Sequence, residues 1–127
     1  MQKQKIQQFT DLIVWQKAHG VVLSVYQLTK KFPAEEVFGL STQLRRAAVS
    51  MTSNIAEGFG RMSAKEKVHF YLFAYGSLLE IINQLIIAKD LKYLSEIELE
   101  NFRVASTEVA KMLQVLISRI KEPKSPT

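Results

Sequence analysis

The chain has 127 residues, no cysteine and a formal net charge of +5. That length makes one domain, able to bury roughly two-thirds of the surface its unfolded form exposes. The missing thiol excludes disulfides, thiolate zinc sites and cysteine nucleophiles, and fits a reducing compartment. With 5 Gly and 3 Pro and no run that alternates apolar with polar, sheet is not expected, and an all-α reading follows.

The polar N-terminus, MQKQKIQQ, lacks the apolar core of a signal peptide, so the expected location is cytoplasmic, with residues 1–10 read as a flexible arm. The first helix is predicted over about Leu12–Lys31, with Asp11 as N-cap and Phe32-Pro33 as its stop. Two apolar stripes flank its polar arc. Leu12, Trp15, His19, Val22, Leu23 and Tyr26 form one, and Val14, Ala18, Val21, Val25 and Leu28 the other. One neighbouring helix cannot cover both.

The second helix is predicted over about Leu40–Glu57, ending at Gly58, a residue suited to the left-handed conformation that closes helices. At 100° per residue its apolar face is Leu44, Ala47, Ala48, Met51 and Ile55. The opposite face carries Arg46, Ser50, Ser53, Asn54 and Glu57. Arg46 and Glu57 stand about 16 Å apart along the axis, too far to pair with each other. Glu80 is the expected partner of Arg45 or Arg46, within a subunit or across an interface, so that Arg46, Ser50, Asn54, Glu57 and Glu80 form a structural polar network.

The third helix starts at a capping box formed by Ser63 and Glu66 and runs to about Leu91. Its run VHFYLFAYGSLLEIINQLIIA (68–88) is long enough to span a bilayer, but Glu80 near its middle opposes insertion by about 2.5–3.5 kcal/mol, so no membrane partner is expected. The expected core stripe is Val68, Leu72, Tyr75, Leu79, Ile82 and Ile86. The side left to water mixes His69, Phe73, Gly76, Glu80, Asn83 and Ile87. Such a face predicts self-association, with Phe70, Phe73, Ile81 and Ile87 as candidate interface residues. The competing reading places these side chains in the core of a bundle rotated differently. A second capping box, Ser95 and Glu98, opens the fourth helix, which runs to about Lys121 and buries Leu99, Phe102, Val109, Leu113 and their neighbours. Residues 122–127 are expected to form a flexible tail. Four helices with short connections make an antiparallel up-down-up-down four-helix bundle over residues 11–121.

Chemistry is sparse. Glu66 and His69 have a di-iron spacing but lack the second pair and the added carboxylates, His19 sits on an apolar stripe as a packed ring, and GFGR (58–61) lacks the spacing of a phosphate loop. No catalytic residue, metal or cofactor is expected. The surplus positive charge favours anionic partners. Candidate nucleic-acid contacts are Lys3, Lys5, Arg45, Arg46, Arg61, Lys65, Lys67, Lys121 and Lys124.

The segments FTDLIVWQKAH (9–19), KFPAEEVFGLSTQLRRAAVSMTSNIAEGFGR (31–61) and FAYGSLLE (73–80) closely resemble the four-helix-bundle proteins encoded in intervening sequences of bacterial large-subunit ribosomal RNA genes. The shared motif falls on Gln43, Arg45, Arg46, Ser50, Asn54, Glu57, Gly58 and Arg61, and on Gly76, Ser77 and Glu80. More distantly, the chain is similar to accessory proteins of diversity-generating retroelements, which bind nucleic acid and a reverse transcriptase. The resemblance implies a ring-like homopentamer without enzymatic activity. It leaves two functions open: direct binding of RNA or DNA, or service as a scaffold for a partner protein.

Overall fold

A computed structural model describes residues 5–122. Among them are helices α1 (Ile13–Thr29), α2 (Leu40–Gly60), α3 (Ala64–Asp90) and α4 (Glu96–Lys121), with 3-10 turns at Phe9–Asp11 and Ala34–Glu36 and no strand. Each helix packs on two others in the cyclic order α1, α2, α3, α4, and the diagonal pairs stay apart. This is the expected antiparallel four-helix bundle. The most extensive contact joins α2 to α3.

The core follows the apolar periodicity of three helices closely. Leu44, Ala47, Ala48, Met51 and Ile55 of α2 are all buried, as are Leu99, Phe102, Val109, Leu113 and Ile117 of α4. On α1 the stripe from Val14 through Ala18, Val21 and Val25 is buried, with Trp15 and Tyr26 partly covered at its edge. His19 is exposed and lies outside the core. Its position is one step too far around α1 to reach the core.

The third helix is where expectation and structure part. The buried residues of α3 are Tyr71, Ala74, Leu78, Ile81, Gln84, Leu85 and Ala88, while Leu72 and Leu79, expected inside, are each 50% exposed. The helix is turned by about one residue from the predicted phase. Because apolar side chains occur all around it, their spacing carries little information about which side faces inward.

The helix ends show a second correction. Gly58 does not terminate α2 and is not left-handed; it is buried inside the helix, where an added Cβ would lie 2.6 Å from Cε1 of Tyr71. Its role is close approach, since only a residue without a side chain admits the ring there. The left-handed residue is instead Lys92, at φ 68°. Lys92 N–H donates to the Lys89 carbonyl and Tyr93 N–H to that of Ala88, both at 2.9 Å, the paired bonds of a Schellman ending.

At the starts, Ser95 and Glu98 form the full reciprocal box. Ser63 accepts from Glu66 N–H at 3.1 Å without the return bond. Asp11 does not cap α1, which starts after Leu12. Its carboxylate accepts from Gln7 and Gln8 N–H at 3.0 and 3.1 Å, organising the preceding turn.

Candidate nucleic-acid interface

Three surfaces converge on α2 and α3. The first is their seam. Ser50 Oγ and Ser77 Oγ lie 3.0 Å apart, and Asn54 Nδ2 donates to the Ser50 carbonyl at 2.8 Å and to its Oγ at 3.1 Å. About two turns higher, Gln84 Nε2 donates to Glu80 Oε1 at 3.1 Å and reaches Gln43 Oε1 at 3.5 Å. Gln84 Oε1 is buried without a partner among the described residues, a condition that costs about 1–3 kcal/mol. Of the expected network, the structure brings Ser50 and Asn54 together with Ser77, and Glu80 with Gln84.

The expected arginine pair of Glu80 is not formed within the chain. The reason is helical phase. Arg45 points to α1, where its Nε donates to Thr29 Oγ1 at 2.9 Å and its guanidinium lies 4.6 Å from the centre of the Tyr26 ring. Arg46 projects outward and has no acidic partner among the described residues. Glu57 pairs with Arg61 at 3.0 Å, one turn along α2.

The second surface is the groove between α1 and α2. Its upper part is a cleft of about 500 Å³ lined by Tyr26, Thr42, Arg45, Arg46, Ser50 and Ser53. Ser53 also borders a lower cleft of about 510 Å³ with Phe9, Glu57 and Arg61. Next to the two clefts, on the edge of α1 that carries Tyr26, Phe9 of the preceding turn meets Trp15 edge to face at 5.5 Å, and His19 stacks on Trp15 at 4.9 Å with 13° between the rings. No sequence signal singled out this row, because Trp15 and His19 read equally well as core.

The third surface is the outer face of α3. His69, Phe73, Gly76, Glu80, Asn83 and Ile87 are all exposed, as the sequence predicted, and Leu72 and Leu79 extend the apolar part. The other interface candidates fall elsewhere. Ile81 is fully buried in the core, and Phe70 is partly covered beneath the Arg61 guanidinium at 4.6 Å.

The candidate cations separate into engaged and unengaged groups. Lys67 donates to the carbonyls of Gly58 and Phe59 at 3.2 and 2.8 Å, closing the end of α2, and Arg61 is held by Glu57 and Phe70. Lys5, Arg46, Lys65 and Lys121 are exposed, and no acidic partner occurs for them among the described residues. Lys3 and Lys124 lie outside the described residues.

No curated protein matches the chain. Among solved structures, a protein of unknown function from the S23 ribosomal protein family of Bacteroides thetaiotaomicron has a TM-score of 0.77 at 23% identity, covering 84% of this chain and 96% of its own. At that identity the likeness speaks to the fold. The family described as 23S rRNA-intervening sequence protein matches residues 10–115. The match takes in all of α1 to α3, both clefts beside α2 apart from Phe9, and most of α4, and so the chain belongs to the 23S rRNA-intervening sequence protein family.

Proposed function

We propose that the protein is a non-enzymatic, cytoplasmic, homo-oligomeric bundle that binds RNA or DNA through its phosphates or works within a ribonucleoprotein. The observation that carries the binding half is the surplus of +5 together with exposed cations such as Arg46 and Lys65 that lack acidic partners among the described residues. Unspent positive charge of this kind attracts polyanions and releases their counterions.

The outer face of α3 supports the assembly half. Leu72, Phe73, Leu79 and Ile87 expose apolar surface there, and in their midst Gly76 has open space where a Cβ would stand. Glycine in a helix interior costs about 1 kcal/mol relative to alanine, and nothing among the described residues requires it at that position. A close approach from outside accounts for both features. A pentamer, the state implied by the family resemblance, would carry a formal charge of about +25.

One observation favours a scaffold as the second reading. A cleft of about 340 Å³ between α1 and α4 is apolar, lined by Ile13, Met112, Val115 and Leu116, and flanked by Lys111 and Arg119. That chemistry suits an acidic, apolar-faced protein segment. Light scattering followed by RNA titration across a salt series tests the proposal. A multimer whose affinity for RNA falls steeply with salt is expected. A monomer refutes the assembly half, and a multimer indifferent to RNA at low salt refutes the binding half in favour of the scaffold.

A further inference from the structure

We propose that the groove between α1 and α2 is a track for single-stranded nucleic acid, with phosphates held at its upper end by Arg45 and Arg46 and unpaired bases stacked at its lower end on the row of Phe9, Trp15 and His19. The inference rests on the nucleic-acid reading above and gives it a place and a substrate class.

The two ends differ in what they offer. At the upper end Arg45 is already positioned: its Nε is committed to Thr29 and its plane to Tyr26, which leaves the terminal nitrogens to meet a phosphate in the forked geometry guanidinium favours. Arg46 stands beside it, exposed and without an acidic partner among the described residues. At the lower end the charge is largely cancelled, because Arg61 is paired with Glu57. There the aromatic row takes over. The rings of Trp15 and His19 are already stacked and parallel within 13°, and His19 is exposed, so its outer face continues the stack to a base.

Tyr26, Trp15 and His19 share one edge of α1 by their spacing. From Tyr26 to Trp15 is about 16 Å at 1.5 Å per residue. A span of that size takes on the order of four nucleotides, the short end of stacking sites. A basic groove interleaved with aromatic faces is how single strands are held without sequence preference, and a duplex cannot use it because its bases are stacked on one another.

Trp15 is the sole tryptophan, so its emission reports on the proposed track alone. The experiment uses the full chain with a fluorescein-labelled oligouridine of about 12 nucleotides for anisotropy and the unlabelled strand for Trp15 emission, each repeated as a duplex with oligoadenosine. The single strand is expected to bind more tightly than the duplex and to change Trp15 emission. Arg46→Ala is expected to weaken binding and lower the salt slope by about one. His19→Ala should weaken it by at least about fivefold, and His19→Tyr should restore it, which a merely structural histidine would not show. Binding that leaves Trp15 emission unchanged and ignores both substitutions overturns the track but leaves nucleic-acid binding in place. Preference for the duplex overturns the single-strand assignment. Failure to bind either form at low salt removes the track and the function beneath it together.

Discussion

Replacing Gly58 by alanine sets two effects against each other. Alanine in a helix interior is favoured over glycine by about 1 kcal/mol, so a glycine with no neighbours would gain stability. Here the new Cβ would stand 2.6 Å from Cε1 and 2.8 Å from Cδ1 of Tyr71, against the 3.5–4.0 Å at which carbons attract. The ring is only 3% exposed and has no room to retreat. Overpacking of this kind costs about 1–3 kcal/mol. Repulsion therefore wins by about 1 kcal/mol, equivalent to a fall in Tm of roughly 4 °C for a chain of this length. Thermal unfolding followed by circular dichroism measures it. The same change in a Tyr71→Leu background should be neutral or stabilising, because the obstructing ring is gone, and the difference between the two backgrounds isolates the contact. A higher Tm for Gly58→Ala alone, or equal effects in both backgrounds, would refute the packing argument.

Ile81→Ala should lower stability by about 2–5 kcal/mol as a core truncation, and unchanged stability would show that α3 is turned as the sequence alone suggested; Phe73→Glu should leave a dilute chain folded and reduce the mass seen by light scattering, and an unchanged mass would remove Phe73 from the interface. At the top of the bundle Tyr93 donates to Glu36 Oε2 at 2.8 Å while Glu36 Oε1 accepts from Leu40 N–H at 3.0 Å. The Leu40 bond, then Tyr93, holds the Glu36 carboxyl below its ordinary range, so its contribution is complete at neutral pH and is lost as pH falls through that lowered value. Tyr93 is raised above the ordinary phenol value of 10.0 by its bond to Glu36; its contribution is complete below that value and is lost as pH rises through the raised one. Tyr93→Phe should therefore soften the alkaline loss of Tm, where buried Tyr71 also titrates late, and leave most of the acid loss. Identical profiles for the two proteins would contradict this assignment.

How far the sequence could be read depended on how one-sided each helix is. On α2 and α4 most apolar positions share one face, with Val49, Ile97, Val104 and Val115 left exposed, and the predicted core residues are the buried ones or lie against them. On α3 Leu72, Phe73, Leu79 and Ile87 are apolar yet exposed, so counting apolar positions located the helix but not its rotation. Ile81 was misplaced for the same reason. Local signals were legible where a bond joins residues close in sequence, as at Ser95 and Glu98. They misled where the decisive partner is remote. Gly58 reads as a helix stop until Tyr71 is seen against it, and Arg45 gives no sign that Thr29 and Tyr26 hold it. The row of Phe9, Trp15 and His19 depends on how a 3-10 turn folds back beside α1, which spacing along one helix does not encode.

The predominance of the α2 and α3 contact bears on how the chain finds its fold. These helices are joined by only the short stretch from Arg61 to Ser63, whereas bringing α1 to α4 first would close a loop of roughly 65 residues at an entropic disadvantage of about 3 kcal/mol. The middle hairpin is thus the cheapest nucleus available, and it already contains Leu44, Met51, Ile55, Leu78, Ile81 and Leu85, six of the largest side chains that the finished bundle buries. The outer helices then arrive as cladding on a formed centre. The groove beside α1 lies outside that hairpin, along the boundary between it and a helix that packs against it.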